Sequence, residues 1–572
     1  MDYEAEFSRR LKGLNARQRQ AVDIISGPLM VVAGPGTGKT ELLAVRAANI
    51  LHQTDADPSN ILCLTFTDSG SANMVKRLAQ IIGSTAYQVE IQTFHSFGST
   101  IIGRFGEYFY SGANYQPADQ LTQAEILTEI IAGLSYDNPL ATLNPNGQPI
   151  YLKTIQKLIG DFKNSGLNPD QLEELVKQDL DFSADIEPTI NEVFTKGISK
   201  KTISKCDDLL VELRRLATQT PPLAQAITPT LAQIMANDLA EAYTTASEDG
   251  STKPITAFKN RWVGNSDNGT KTLKITEHCR KLKLALDIYR QYLIKMDECQ
   301  LYDFNDMILR VIQAITEHPG LKATLQEQYQ YVMVDEFQDT NEAQMRLLHL
   351  LTDYDDQPNL MVVGDDDQAI YRFQGADIGN IQTFTRRYPK LRQVNLQTNY
   401  RSGTAIIKLA EQVAGDITER LTNADGTPKQ LVAHHSDYKC RIDWAVATNQ
   451  AGEFSHVADR IKQAIDQGVK PAQIAVIARR HKSLVQLTDF LTALNIPFTY
   501  QHQQNVFDSE LIKLLLNLAR AVVCIAHNNI TDANAYLPHI IASPAFGISG
   551  EEFYQISLDT EAQWGNWFKA IA

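Results

Sequence analysis

Hydrophobic and polar positions along the chain follow two alternating regimes. Near the start, short apolar runs, LMVVA (29–33), ILCLTF (61–66) and VEIQT (89–93), are separated by stretches of helical spacing. This is the alternation expected of a parallel α/β sheet, and it predicts a nucleotide-binding-like core. From about residue 104 to 298 the runs give way to mixed segments such as YLKTIQKLIGDF and DDLLVELRRLATQ, which predict a helical insertion. Strand-like runs return at QYVMV (330–334), NLMVV (359–363) and RQVNL (392–396), so the first sheet is completed after the insertion. IAVIA (474–478), with the helical stretch that follows to Leu494, predicts one βα unit of a second α/β domain. From about residue 516 the spacing is helical again, and no fixed-period repeat or low-complexity tract interrupts it.

Composition narrows the class. The 572 residues are enough for several domains, and 43% hydrophobic with 21% charged residues excludes a disordered chain, a collagen-like repeat or a coiled-coil rod. The formal net charge of −14 argues against a histone-like binder, so any nucleic-acid site must be local. Acidic residues outnumber basic ones over 101–200, placing part of that charge on a solvated face of the insertion. No apolar run approaches a membrane span and the acidic start MDYEAEFSRR is unlike a signal peptide, so a cytoplasmic protein without membrane contact is expected. Cys63, Cys206, Cys279, Cys299, Cys440 and Cys524 are scattered without metal-ligand spacing and read as buried free thiols.

Two segments carry phosphate chemistry. After LMVVA comes Ala33-Gly34-Pro35-Gly36-Thr37-Gly38-Lys39-Thr40, which matches the pattern G-x-x-x-x-G-K-[ST] except for Ala at its first position. Glycines let backbone N–H groups close around phosphate oxygens at a helix N-terminus, Lys39 neutralises β/γ charge, and the Thr40 hydroxyl ligates Mg²⁺. The run YVMVDEFQDTN (331–341) then sets Asp335 and Glu336 at the end of an apolar strand. Asp335 is the natural Mg²⁺ partner, and Glu336 is placed to deprotonate the water that attacks the γ-phosphate.

These segments occur in order with LNARQRQAV (14–22), LTFTDSGSANM (64–74), TFHSF (93–97), YDFNDM (302–307), VVGDDDQAIYRFQGAD (362–377), LQTNYRSG (396–403) and IAVIARRHKSLVQLTDFLTALNIPF (474–498). Together they resemble the UvrD/Rep/PcrA family of superfamily 1 DNA helicases over nearly the whole chain. The resemblance implies an α/β fold of P-loop, RecA-like motor domains with parallel sheets and helical insertions. Residues 1–103 and 299–391 would form the first motor domain, and 104–298 its insertion. Residues 392–515 would begin the second motor domain, and 516–572 would begin a second insertion. It also implies an ATP-dependent 3′–5′ helicase or translocase, using ATP and Mg²⁺ on single-stranded and 3′-tailed duplex DNA, in repair or recombination.

Carried over by position, the resemblance makes Gln18 the reader of the adenine edge, Tyr400 its stacking partner, Gln368 the γ-phosphate sensor and Arg401 an arginine finger. It assigns DNA contacts to Thr65, Phe66, Thr93, His95, Tyr371 and Phe373, where aromatic faces can stack bases without regard to sequence. Three departures stand out. Glu41 replaces the Arg that most relatives carry after G-K-T, which weakens the expected grip on the base. Phe373 and Gln374 stand where many relatives have Trp and Arg. No segment after residue 516 resembles the family's last motifs, and a chain without them is expected to bind nucleotide and single strands but to unwind poorly, or to act as an ATP-gated binding protein. Protein partners are not indicated.

Overall fold

The computed structural model describes residues 2–109, 115–144, 149–194, 198–219, 229–265, 270–371, 379–417, 429–435, 440–500, 506, 509–527, 529–562 and 565–571. The chain forms two compact units, residues 1–442 and 443–572. At the centre of the first unit lie six strands: β1 Leu29–Ala33, β2 Ile61–Thr65, β3 Glu90–Thr93, β4 Tyr331–Val334, β5 Leu360–Gly364 and β6 Arg392–Leu396. They are ordered β6-β1-β5-β4-β2-β3, and every neighbouring pair is parallel.

Both faces of this sheet are buried, as parallel sheets require. Leu29, Val31 and Ala33 face one core with Ile61, Cys63, Met333, Met361, Val363 and Val394. Met30, Val32, Leu62, Leu64, Val332, Val334, Leu360 and Val362 face the other. The alternation within β1 is the period of two that sends successive side chains to opposite faces. Because all strands run the same way, their C-terminal ends lie along one edge, where parallel α/β sheets place ligands. β5 separates the phosphate-loop strand β1 from the carboxylate strand β4, so three loops converge on one point.

The insertion is helical as expected, with helices Gln120–Ala132, Leu152–Asn164, Pro169–Phe194, Lys200–Gln219, Leu231–Asp249, Lys253–Trp262 and Lys274–Glu298. It holds two cores, one around Ile126, Ile159, Phe162 and Tyr289, the other around Phe194, Leu213, Leu239 and Phe258. Two expectations need adjustment here. RQVNL pairs along its length with β1 and is the edge of the first sheet, as the strand runs after the insertion predict, so the expected domain boundary at residue 392 falls inside that sheet. Of the six cysteines only Cys63, Cys206 and Cys279 are buried, while Cys299 is exposed.

The second unit contains helices Gln450–Asp466, His481–Ala493, Glu510–Ala526, Ile530–Ile541, Gly550–Ala562 and Trp567–Ile571. Phe454, Ala458, Leu487, Leu491 and Ile496 form its small core. IAVIA is not a strand: residues 474–478 have no ladder partner, and Ile477 is 94% exposed. β-propensity reports a fit to a pleated surface with neighbours, and among the described residues of this unit no strand supplies one. No helix among the described residues is long and apolar enough to cross a membrane.

Candidate nucleotide and nucleic-acid site

The phosphate loop turns directly from β1, whose last residue is Ala33, into helix Lys39–Gln53. Gly36 and Gly38 have φ of 69° and 84°, the left-handed region that side chains disfavour. At Gly36 space also demands glycine, since a Cβ there would lie 2.8 Å from the Arg401 Cβ and 2.9 Å from the Asn399 amide. Thr37 is buried and its hydroxyl donates to the Gly34 carbonyl (2.7 Å), which shapes the loop. Gln18 is buried beside it, donating to the Thr37 carbonyl (2.9 Å) while its own carbonyl accepts from the Asn15 N–H (3.0 Å). Asn15 in turn donates to the Tyr400 hydroxyl (2.9 Å).

Lys39 Nζ lies 2.6 Å from Glu336 Oε2. Glu336 has φ 49° and ψ 47°, a left-handed conformation rare for a residue with a side chain, and its N–H donates to Asp335 Oδ1 (3.0 Å). Burial first, then the neighbouring Glu336 charge, raises the Asp335 carboxyl to about 6 against the pull of Lys39. The same causes raise Asp339 to about 6, and its buried Oδ1 has no hydrogen-bond partner. Glu336 stands between Asp335 and Asp339 with Lys39 as the opposing charge, which leaves the segment short of positive charge. Among the described residues, the three carboxylates close enough together to share a cation are Asp365, Asp366 and Asp367, where Lys429 already lies. Thr40, half-buried in the first turn of the loop helix, brings a hydroxyl to the same loop.

The third loop, which carries Gln368, is tied to the second by side-chain contacts. Gln338 donates to Glu336 Oε2 (2.9 Å), and its carbonyl accepts from the Asp365 N–H (2.9 Å). Gln368 donates to Asp365 Oδ2 (2.6 Å). A continuous chain of polar contacts thus runs from Lys39 through Glu336, Gln338 and Asp365 to Gln368. Lys429 bonds Asp366 and lies 3.3 Å from Asp365 Oδ1, its basicity lowered by burial against the pull of Asp365. Gly34, Pro35, Asp365, Gln368, exposed Arg401 and Lys429 line a cavity of about 310 Å³. The turn that carries Tyr400 and Arg401 is fixed by Asn399, which donates to the Pro35 carbonyl (2.7 Å) and accepts from the Arg401 and Ser402 N–H groups (both 2.8 Å). Tyr400 N–H also donates to the Gly36 carbonyl (2.8 Å). Glu41 is paired with Arg10 (2.8 Å) and Arg77 (2.9 Å), cations that two other helices bring to it.

Farther along the same edge, at the ends of β2 and β3, aromatic rings gather. Phe66 and Tyr371 have centroids 4.8 Å apart, and His95 stacks on Phe304 at 3.8 Å with planes 20° apart. Phe304 is 61% exposed, an aromatic that sequence reading quoted within YDFNDM without giving it a role. Burial lowers His95 to about 4, so its imidazole is neutral near pH 7. Thr65 and Thr93 are buried with their hydroxyls engaged inside the protein, the first on the Thr67 carbonyl (3.0 Å) and Ser71 Oγ (2.6 Å), the second on Ser96 Oγ (2.9 Å). Phe373 lies outside the described residues.

Two family models and several curated proteins match the chain. A family model described as the UvrD/REP helicase N-terminal domain matches residues 14–248 and 230–389, and one described as the UvrD-like helicase C-terminal domain matches 394–563. The chain is similar to the ATP-dependent DNA helicase PcrA of Staphylococcus epidermidis, 27% identical over 512 residues, which is 90% of this chain and 54% of the relative. The PcrA of Staphylococcus aureus strain Mu50 is 26% identical over the same shares. The chain therefore spans about half the length of the curated relatives it matches.

Proposed function

The chain belongs to the UvrD/Rep helicase family, and from that premise we propose that it binds and hydrolyses ATP and couples the cycle to 3′–5′ movement on single-stranded DNA. The observation that carries the hydrolytic half is the contact of Lys39 with Glu336, between the segments that follow β1 and β4. Lys39 moves from Glu336 to the β/γ-phosphates when nucleotide binds, leaving that carboxylate free to accept the proton of the attacking water. Thr40 and Asp335 would hold Mg²⁺, which would supply positive charge against the developing phosphate charge. Gln18 and Tyr400 hold the adenine end. Gln368 reports the γ-phosphate to the loop that carries Tyr371, and Arg401 adds a cation where negative charge grows.

On the nucleic-acid side, Phe66 with Tyr371 and His95 with Phe304 offer aromatic faces to successive bases, while Thr65 and Thr93 hold the loops that present them. A single strand fits such faces without a net basic surface. The test is steady-state ATPase with and without single-stranded DNA, beside strand separation on 3′-tailed and 5′-tailed duplexes. DNA-stimulated turnover is expected, with what strand separation there is confined to the 3′-tailed substrate. Lys39→Ala should abolish nucleotide binding by calorimetry, and a variant that binds ATP like the parent would remove the phosphate loop from the mechanism.

A further inference from the structure

The insertion reaches the base-stacking edge through one buried ammonium. Lys163, in the last turn of helix Leu152–Asn164, has no exposed side-chain surface, and its Nζ lies 2.5 Å from Asp303 Oδ2 and 2.7 Å from Asp306 Oδ1. Those two aspartates bracket Phe304. Tyr292, from the insertion's closing helix Lys274–Glu298, donates to Asp303 Oδ2 (3.2 Å), and its ring centroid lies 5.0 Å from the ammonium. Within the turn, Asp303 Oδ1 accepts from the Asn305 and Asp306 N–H groups, and Asp306 Oδ2 accepts from the Asp303 N–H, all at 3.0 Å. Each aspartate thus spends one oxygen on shaping the turn and the other on the lysine. Burial raises the Asp306 carboxyl, and Lys163 opposes that rise.

Packing alone does not locate this turn. Toward the insertion it borders a cavity of about 470 Å³, lined by Gln123, Gln156, Gly160, Tyr292, Asp303 and Phe304. The lysine's own end of the helix is anchored elsewhere. Gly166, at φ 72°, would bring a Cβ within 3.1 Å of the Ala343 Cα, and its carbonyl accepts from Arg346 (2.6 Å) on the helix that follows the Asp335–Glu336 segment. Desolvation offsets much of what a buried ion pair adds to stability, and the pair forms only in a narrow geometry.

We propose that Lys163 is a positioning residue: the insertion uses it to hold the Asp303–Asp306 turn so that Phe304 stays stacked on His95 and open to a DNA base. This rests on the reading of Phe304 as a base-stacking residue. The full chain is compared with Phe304→Ala, Lys163→Met and the charge-neutral triple variant Lys163→Met/Asp303→Asn/Asp306→Asn, which keeps the acceptors that shape the turn. Single-strand affinity is measured by anisotropy, ATP affinity without DNA by calorimetry, and folding by thermal melting. Phe304→Ala is expected to weaken single-strand binding roughly fivefold or more, the range of one lost stack. Lys163→Met, or the triple variant if the unpaired aspartates unfold the single one, should show a comparable loss with ATP affinity unchanged. Adding Phe304→Ala to the triple variant should then cost less than a further twofold, because the ring has already lost its place. Parent-like single-strand affinity in the folded triple variant, or losses that multiply on combination, would overturn the positioning role while leaving the stacking reading intact. An unaltered affinity in Phe304→Ala would instead overturn the stacking reading and the inference with it.

Discussion

Glu336 is the residue where local cost and chemistry meet most directly. A left-handed conformation at a side-chain-bearing residue costs on the order of 1 kcal/mol or more, and here it turns the carboxylate onto Lys39 and Gln338 rather than along the strand. Glu336→Gln keeps the shape and the acceptor but removes the base, so it should bind ATP with near-parental affinity and hydrolyse it about a hundredfold or more slowly. Joint loss of binding and turnover, by calorimetry and steady-state assay, would make the residue structural. A second residue-scale prediction concerns His349, buried in the helix Glu342–Thr352 with its Nε2 unpartnered. Burial, and then Arg387, lowers it to about 4. Between pH 6.5 and about 4 the unfolded chain therefore binds the proton that the folded chain refuses, and this residue's contribution falls as pH falls. At pH 5 the penalty amounts to about 2 kcal/mol, so His349→Leu should lose less stability than the parent between pH 7 and pH 5 in denaturant melts.

At the scale of elements, what was legible in the sequence is what repeats locally. β1, β4 and β5 announce themselves as apolar runs flanked by phosphate and carboxylate signatures, and the insertion by its helical spacing. Pairing is not local. Nothing within RQVNL states which strand of the first sheet it will join, and nothing within IAVIA states that the described residues give it no neighbour. The candidate site divides the same way. Lys39, Asp335 and Glu336 stand in recognisable strings, whereas Gln338, Asn399 and Phe304 acquire roles from residues 20 or more positions away. Asn399 shows how much depends on such a contact, since one buried amide ties the Tyr400–Arg401 turn to the phosphate loop. Asn399→Ala leaves the Pro35 carbonyl and two N–H groups without partners, and should cost about 1–3 kcal/mol in thermal melts. It should also raise the KM for ATP, because Tyr400 and Arg401 lose their reference to the loop. An unchanged KM would show that the turn holds its place through the Tyr400 N–H bond to Gly36 alone.

For the whole molecule, charge decides how DNA can be held. A net charge of −14 repels a polyanion at long range, so attraction has to come from contacts made at short range. A protein that neutralises six to ten phosphates loses about 10³–10⁵ in affinity between 50 and 200 mM salt. The faces gathered at the ends of β2 and β3 are rings, and the imidazole among them is neutral because burial lowers it to about 4. Stacking depends on no base-specific hydrogen bond, and it neutralises no phosphate, so a chain that relied on it alone would release few counterions. Single-strand affinity of this chain is therefore expected to fall less than about tenfold over the same salt range. It should also differ little between oligonucleotides of mixed pyrimidine and mixed purine composition, both read by fluorescence anisotropy. The two measurements separate the terms, because Phe66→Ala should weaken binding at every salt concentration while leaving the salt slope where it was. A steep slope in the parent would place the binding energy in phosphate contacts instead, and the rings would then guide the strand rather than hold it.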